Sequence, residues 1–298
     1  GRDLMAIDEP NEKLSKEDKD IYKKLALSIE PFKNVRYYYP YSKDEKCSNV
    51  QSYSLPDDVR IQKELNKAYT YKFTFADSQD NLDLLLANED DSSHTMESCV
   101  NYVVNHEGEF KNISEWSTFR DTIQKCGKAG SSSADSKEIN VLSWRKFKRC
   151  VSKAIGNDVF AKQIHESQKE VDITEVIKHD FFPNQVLVID IARLDENTQS
   201  FVFGSVARAI YDLKLGNDRN DIPKKIIMFV DELNKYASTD IPKDSPILRQ
   251  LLDIAERGRS LGIILFSVEQ FRSAIYDRVK GNCATSAYGR TNAIEVSK

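Results

Sequence analysis

The stretch KKIIMFVDELNKYA (residues 224–237) decides the fold, because it reads as a buried strand running out into two adjacent carboxylates. Ile226, Ile227, Met228, Phe229 and Val230 are consecutive apolar residues, bounded by Pro223 and by charge. An uninterrupted run of that length suits a strand covered on both faces. Asp231 and Glu232 then fall at the carboxyl edge of a parallel sheet, the edge where open α/β sheets bind ligands. An Asp there can hold Mg²⁺, usually through water, and a following Glu can polarise an attacking water. The plainer alternative is an ordinary strand ending in solvated acids.

Sequence on either side repeats the pattern. QVLVIDIARLDE contributes a second buried run over 186–191, and NTQSFVFGSVARAIYDLKL follows as a helix with Phe201, Ser205, Ala209 and Leu213 along one stripe. Downstream, Pro246 marks a helix start, ILRQLLDIAERGRSLG is a helix ending at Gly262, and GIILFS is a third buried strand. Strand, helix and strand in that order predict a right-handed βαβ unit and hence a parallel sheet with three adjacent strands. The third strand exits into Val268, Glu269 and Gln270, which places Gln270 beside Asp231 and Glu232, with Asp190 nearby. A short helix, a turn at Gly281 and Asn282, and a further strand over 284–288 are expected to follow.

The chain of 298 residues is 40% hydrophobic and 30% charged, a globular balance with room for one large α/β domain or two smaller ones. No apolar run approaches the roughly 20 residues of a membrane span, and there is no signal peptide, so the expectation is a cytoplasmic protein. A net charge of −4 gives no global attraction to nucleic acid; any such binding needs a local patch or a pore built by several subunits. Cys47, Cys99, Cys126, Cys150 and Cys283 are scattered, without a CxxC or a histidine at ligand spacing. They read as reduced, mostly buried thiols rather than a zinc site.

Near the amino end, SKEDKDIYKKLALSI is a helix capped by Ser15, with Ile21, Leu25 and Ile29 on one face. VRYYYP (35–40) is a strand of β-branched and aromatic residues, and AYTYKFTFAD alternates as a strand near a sheet edge. From residue 81 to 182 the texture becomes rich in Ser, Lys, Glu and Asn at helical spacings, interrupted by the polar loop KAGSSSADSK. The division is therefore a first core part (1–80), a helical insertion (81–182) and a second core part (183–298). Within the insertion, WRKFKRC interleaves Arg145, Lys146, Lys148 and Arg149 with Trp144 and Phe147. Cations with aromatics can track a nucleic-acid backbone and stack on bases. Equally, Trp144, Phe147 and Val151 fit the inner face of an amphipathic helix whose cations stay solvated.

Taken together, the apolar run with Asp-Glu, the helix end ERGRSLGI, the strand end SVEQ and the segment GNCATSAYGRTN resemble the HerA/FtsK superfamily of hexameric DNA-translocating P-loop ATPases, on the HerA-like side. The likeness is strong over 186–298 and weaker over 1–75, where GRDLMAIDEPN resembles the segment after the second core strand; 81–180 carry no matching motif. It implies an α/β RecA-like parallel sheet flanked by helices, with ATP and Mg²⁺ as cofactors, duplex DNA as partner in an assembled homohexamer, and a nuclease or other effector as a further partner. By the same resemblance Asp231 is the Mg²⁺-associated Walker B acid and Glu232 the catalytic base. Gln270 is the sensor, Arg259 the first choice of arginine finger, and Arg257 and Arg290 further nucleotide-facing arginines.

One departure is large. The sequence holds no GxxxxGK[ST]: its Gly-Lys, Gly127-Lys128, is followed by Ala129 and has Thr122 where the first glycine belongs. The resemblance implies a phosphate loop upstream of Gly1 in a parent chain, and closing strands after Lys298. Two other readings stay open: a non-catalytic NTPase-like scaffold that binds a protein through the insertion, and a metal-dependent nuclease using Asp190, Asp231 and Glu232.

Overall fold

Six strands form two parallel sheets in the computed structural model, which describes residues 2–91, 93–128, 130, 138–216 and 221–289. In chain order the first elements are α1 (Lys16–Lys24), β1 (Val35–Pro40), α2 (Pro56–Glu64), β2 (Ala68–Tyr71), α3 (Phe75–Ser78), α4 (Thr95–Val104), α5 (Trp116–Cys126) and α6 (Val141–Ala154). Then come β3 (Glu170–Val171), α7 (Ile173–His179), β4 (Val186–Ile189), α8 (Glu196–Leu215), β5 (Ile226–Asp231), α9 (Pro246–Leu261), β6 (Ile263–Val268) and α10 (Asp277–Gly281).

The larger sheet has the order β3-β2-β1-β4 and is parallel throughout, so the chain is an α/β protein. VRYYYP suits its interior because each tyrosine buries a large ring and still finds a polar partner for its hydroxyl. Tyr37 donates to Asp8, Tyr39 donates to Gln62 Oε1 at 2.7 Å, and on β2 Tyr71 donates to the Asp190 carbonyl at 2.8 Å. Alternation along β1 sends Tyr37 and Tyr39 into a small core with Met5, Val50, Val59 and Ala68, and Tyr38 into the main core. At the far edge the buried pair Lys72–Glu170, 2.6 Å apart, ties β3 to the end of β2. Helix α1 starts at Ser15 through a full capping box, as its sequence predicts, yet it buries nothing, and Ile21 and Leu25 are exposed.

The stretch 81–182 is mostly helical, but it is not separate from the sheet. Its helices α4, α5 and α6 surround an aromatic core in which Phe110 stacks on Trp144 at 5.4 Å between Tyr102, Phe119 and Phe147. Trp116 Nε1 donates to the Phe73 carbonyl at 2.9 Å, Phe160 bridges to Phe73, and β3 itself comes from this stretch. In α6 the aromatics Trp144 and Phe147 are fully buried, so the amphipathic reading of WRKFKRC describes the helix. Cys99, Cys126 and Cys150 are buried thiols, and burial pushes Cys99 up to about 12 and Cys150 to about 11, which leaves them unreactive.

The second sheet is the parallel pair β5-β6, in register from Ile226↔Ile263 to Asp231↔Val268 and joined through α9. Three adjacent strands are expected over 183–270; instead β4 pairs with β1 (Val35↔Val186) and, among the described residues, β5 pairs only with β6. An apolar run fixes that a strand is buried, not which strand it joins, and β1 competes for β4 with a matched hydrogen-bonding edge. The two-sided burial expected of β5 is also corrected. Ile226, Met228 and Val230 face the core, while Ile227 and Phe229 are 68% and 51% exposed, beside Phe266 at 57%. Phe229 and Phe266 stack outward at 5.7 Å.

Gly262 makes the α9–β6 turn possible. It takes φ 75° as the helix C-cap, and a Cβ there would stand 2.3 Å from the Lys224 carbonyl oxygen. Residues 284–288, expected as a strand, have no regular structure. Among the described residues no helix is long and apolar enough to cross a membrane.

Candidate functional site

The carboxyl edge of β5-β6 gathers the acidic residues. Asp231 ends β5 with its side chain on the exposed face, as the alternation from Ile227 and Phe229 requires. The chain then turns sharply at Glu232, whose φ 58° and ψ 54° lie in the left-handed region, uncommon for a residue other than glycine. Its amide continues the ladder by donating to the Val268 carbonyl at 3.0 Å. The Glu232 carboxylate pairs with Lys235 at 2.6 Å, and that hydrogen bond and charge hold it below the usual glutamate range. Glu232 is thus ionised and half-exposed, with its carboxylate engaged by Lys235.

Beside it lies a residue that the motif reading passed over. Glu269 follows β6 on the inward side, its Oε2 accepting from the Asn234 amide N–H at 3.3 Å. With the Asn234 side chain turned nitrogen-first, that amide also donates to Glu269 Oε2 at 3.0 Å and to the Glu232 carbonyl at 3.3 Å. Glu269 Oε1 is buried with no partner among the described residues. Burial raises the Glu269 carboxyl above the usual range, backbone N–H groups of Asn234 and Leu233 oppose the rise, and the charges of Asp231 and Glu232 add to it. Counting alternation from the buried Ile263 would have found it: odd positions to 269 face in, and Gln270 faces out with Val268.

The structure therefore brings Asp231, Glu232 and Glu269 to one edge, with Gln270 exposed just past it. Asp190 does not join them through a shared sheet. It ends β4, is buried, and spends its carboxylate on Ser52 and on the Ala192 N–H at 3.0 Å, closing the turn after the strand.

Arg257 and Arg259 are exposed on the last turns of α9, astride Gly258, which is buried against Ile263. Neither guanidinium has an ion-pair partner among the described residues; Glu256 pairs instead with Arg278 at 2.6 Å. Because α9 ends where β6 begins, both arginines sit at the amino ends of the strands. The six-residue length of β6 separates them from Asp231 and Glu232 by roughly 20 Å. They cannot serve the edge of their own sheet. Arg290 lies outside the described residues.

A cleft of about 260 Å³ lined by Glu196, Gln199, Ser200, Lys235 and Tyr236 opens beside the Glu232–Lys235 pair. It falls just short of the roughly 300 Å³ at which small-molecule pockets begin, so these residues alone do not enclose a nucleotide. No group of three His, Cys, Asp or Glu side chains forms a metal cage among the described residues. The donor set fits Mg²⁺ of the kind that arrives with phosphates and takes one or two carboxylates, for which exposed Asp231 is suited. No protein-family model and no curated protein matches this chain.

Proposed function

We propose that this chain is the acid–base and arginine-bearing part of a HerA-type ATPase, a hexameric enzyme that hydrolyses ATP to move duplex DNA. The observation that carries the reading is the register of β5 and β6. Two parallel strands in step bring Asp231 and Glu232 against Val268 and Glu269 at the ligand-binding edge of an α/β sheet. In this reading Asp231 holds Mg²⁺, which supplies charge neutralisation on the phosphates of ATP when bound. Glu232, kept ionised by Lys235, takes a proton from the attacking water. Gln270, exposed just beyond the edge, orients that water or the phosphate. Asn234 and Glu269 hold the turn that aims Glu232.

In this reading the phosphates of ATP are cradled by groups other than a GxxxxGK[ST] loop, which this sequence does not hold. The position of Arg259 and Arg257 supports action in trans, since a finger that cannot reach its own edge can reach a neighbour's. A ring of like subunits is the arrangement that supplies one.

The test is ATP turnover by the native protein with duplex DNA. Glu232→Gln is expected to cut turnover at least about 10²-fold, the lower end for a general base, while nucleotide binding persists. Unchanged turnover on Glu232→Gln, or no turnover by the unsubstituted protein, would replace this reading with the non-catalytic scaffold.

A further inference from the structure

The larger sheet has a carboxyl edge of its own, which takes no part in the ATPase reading. β1 and β2 end in step, Pro40 opposite Tyr71, so Tyr41 and Lys72 leave the sheet side by side. The segment after α6 is tied in beside them: Phe73 N donates to the Val159 carbonyl at 2.8 Å, and Ala161 N donates to the Phe73 carbonyl at 3.0 Å. Tyr41, Lys72 and this segment line a cleft of about 360 Å³. A cleft of that size at the carboxyl ends of parallel strands is where open α/β sheets take small molecules.

Lys72 sets this cleft apart: among the described residues it is the one lysine or arginine that is buried. A lysine is almost never buried without a partner. Its Nζ stands 2.6 Å from Glu170 Oε1 on β3 and 3.7 Å from the centre of the Tyr41 ring. Glu170 is itself pinned, since its Oε2 accepts from the His165 N–H at 2.8 Å. The ammonium is thus fixed by a carboxylate and a ring before any ligand arrives. A buried ion pair adds little stability over an apolar pair of the same size. What it does supply is an ordered charge in the wall of a cleft.

Lys43 and Lys162 line the same cleft. They pair with Asp158 at 3.0 Å and with Glu115 at 2.8 Å, and both side chains are exposed. Exposed pairs are weak, so both ammonium groups can turn to a ligand. Glu115 and Glu170 stand outside the lining, where, among the described residues, three lysines meet one acid, Asp158. The surface turned to the cleft is therefore cationic, although each pair is neutral. Among the described residues no arginine lines it, so the fork that matches a planar carboxylate is missing. Lysines bind phosphate as point charges, and a phosphate monoester carries about −1.5 to −2 at pH 7. Tyr41 and Phe160 add apolar surface beside the charges.

We infer that this cleft binds a small phosphate monoester, its phosphate held by Lys72, Lys43 and Lys162 and its organic part against Tyr41 and Phe160. The site lies on a different sheet from Asp231 and Glu232 and is independent of ATP hydrolysis.

The experiment is a two-dimensional amide NMR titration of this chain with phenyl phosphate, inorganic phosphate and benzoate, each to about 10 mM at one ionic strength. Phenyl phosphate is expected to shift the amides of residues 41–43, 72 and 160–165 and to bind tighter than the other two. Lys43→Gln combined with Lys162→Gln leaves the buried pair intact and should weaken phenyl phosphate at least about fivefold. Lys72→Met combined with Glu170→Gln removes both buried charges together, so neither is left alone, and should weaken it at least about tenfold. Lys19→Gln with Lys23→Gln on exposed α1 removes as much charge as the first variant and should bind like the unmodified chain. Thermal melts check the fold, and if the buried-pair variant does not fold, the exposed-lysine variant decides alone. No shift at about 10 mM, shifts confined to the Glu232 edge, benzoate or inorganic phosphate bound as tightly as phenyl phosphate, equal loss in the α1 control, or unchanged binding by the exposed-lysine variant would each overturn the inference.

Discussion

Glu232 and Lys235 close the turn after β5 with an ion pair 2.6 Å long, and it is this lysine that keeps the Glu232 carboxyl below its ordinary range. Replacing Lys235 with Gln should therefore raise the Glu232 pKa toward that of a free glutamate. Carboxyl-carbon NMR titration of the isolated chain measures it directly, without reference to activity. If Glu232 is the base of the proposed ATPase, the same change should move the acid limb of the pH–rate profile to higher pH, because the base would protonate sooner as pH falls. An unmoved titration would show that Lys235 does not set the charge of Glu232.

A pH effect on stability is expected from Asp172, which caps α7 by accepting from Thr174 N at 2.8 Å and Thr174 Oγ1 at 2.6 Å while its second oxygen is buried with no hydrogen-bond partner among the described residues. Burial pushes this carboxyl up to about 6, against the Thr174 hydrogen bonds that pull it down. An acid raised on folding favours the native state while it is protonated. Its contribution is present below about pH 4 and is lost as pH rises through about 6. At about 1.4 kcal/mol per pKa unit, the loss is on the order of 3 kcal/mol. Asp172→Asn keeps a capping side chain and removes the charge. Urea melts should show the variant more stable than the parent at pH 8 and nearly equal at pH 4; a gap independent of pH would contradict the assignment.

Gly262 offers a packing test. Gly262→Ala forces a β-carbon into the left-handed region and against the Lys224 carbonyl, and it should destabilise the chain by about 3 kcal/mol or more, the scale of combined strain and backbone displacement. Gly281→Ala is the control, since a Cβ there meets nothing within 4 Å. It should shift stability by no more than about 0.5 kcal/mol.

The distance between Arg259 and Glu232 makes the proposed trans arrangement testable. Arg259→Ala should leave nucleotide binding and stability nearly intact, because its side chain is exposed and has no ion-pair partner among the described residues. Turnover should fall by about 10³-fold or more. Mixing Arg259→Ala with Glu232→Gln should restore part of the activity, since some interfaces then hold both intact groups. No recovery on mixing would assign the finger to Arg257 or end the ring arrangement.

Local chemistry was legible from the residues alone. The capped start of α1 at Ser15, the Pro246 start and Gly262 end of α9, the presence of strands β4, β5 and β6, though not their two-sided burial, and the inward Trp144 and Phe147 of α6 all depend on spacing and on backbone preferences of single residues. Asp231 and Glu232 at a strand end belong to the same class, because an apolar run that stops at two acids marks its own edge. Pairing was not legible. Strand partners are chosen by hydrogen bonds between segments far apart in sequence: β4 joins β1 across 150 residues, although β5 lies much nearer along the chain. The same choice decides which face each strand buries, and so it turned Glu269 inward, left Gln270 in solvent and closed Asp190 against Ser52. Residue type and spacing set what each segment can form; only the packed chain, where one edge and one face are satisfied at the expense of another, set which side chains meet.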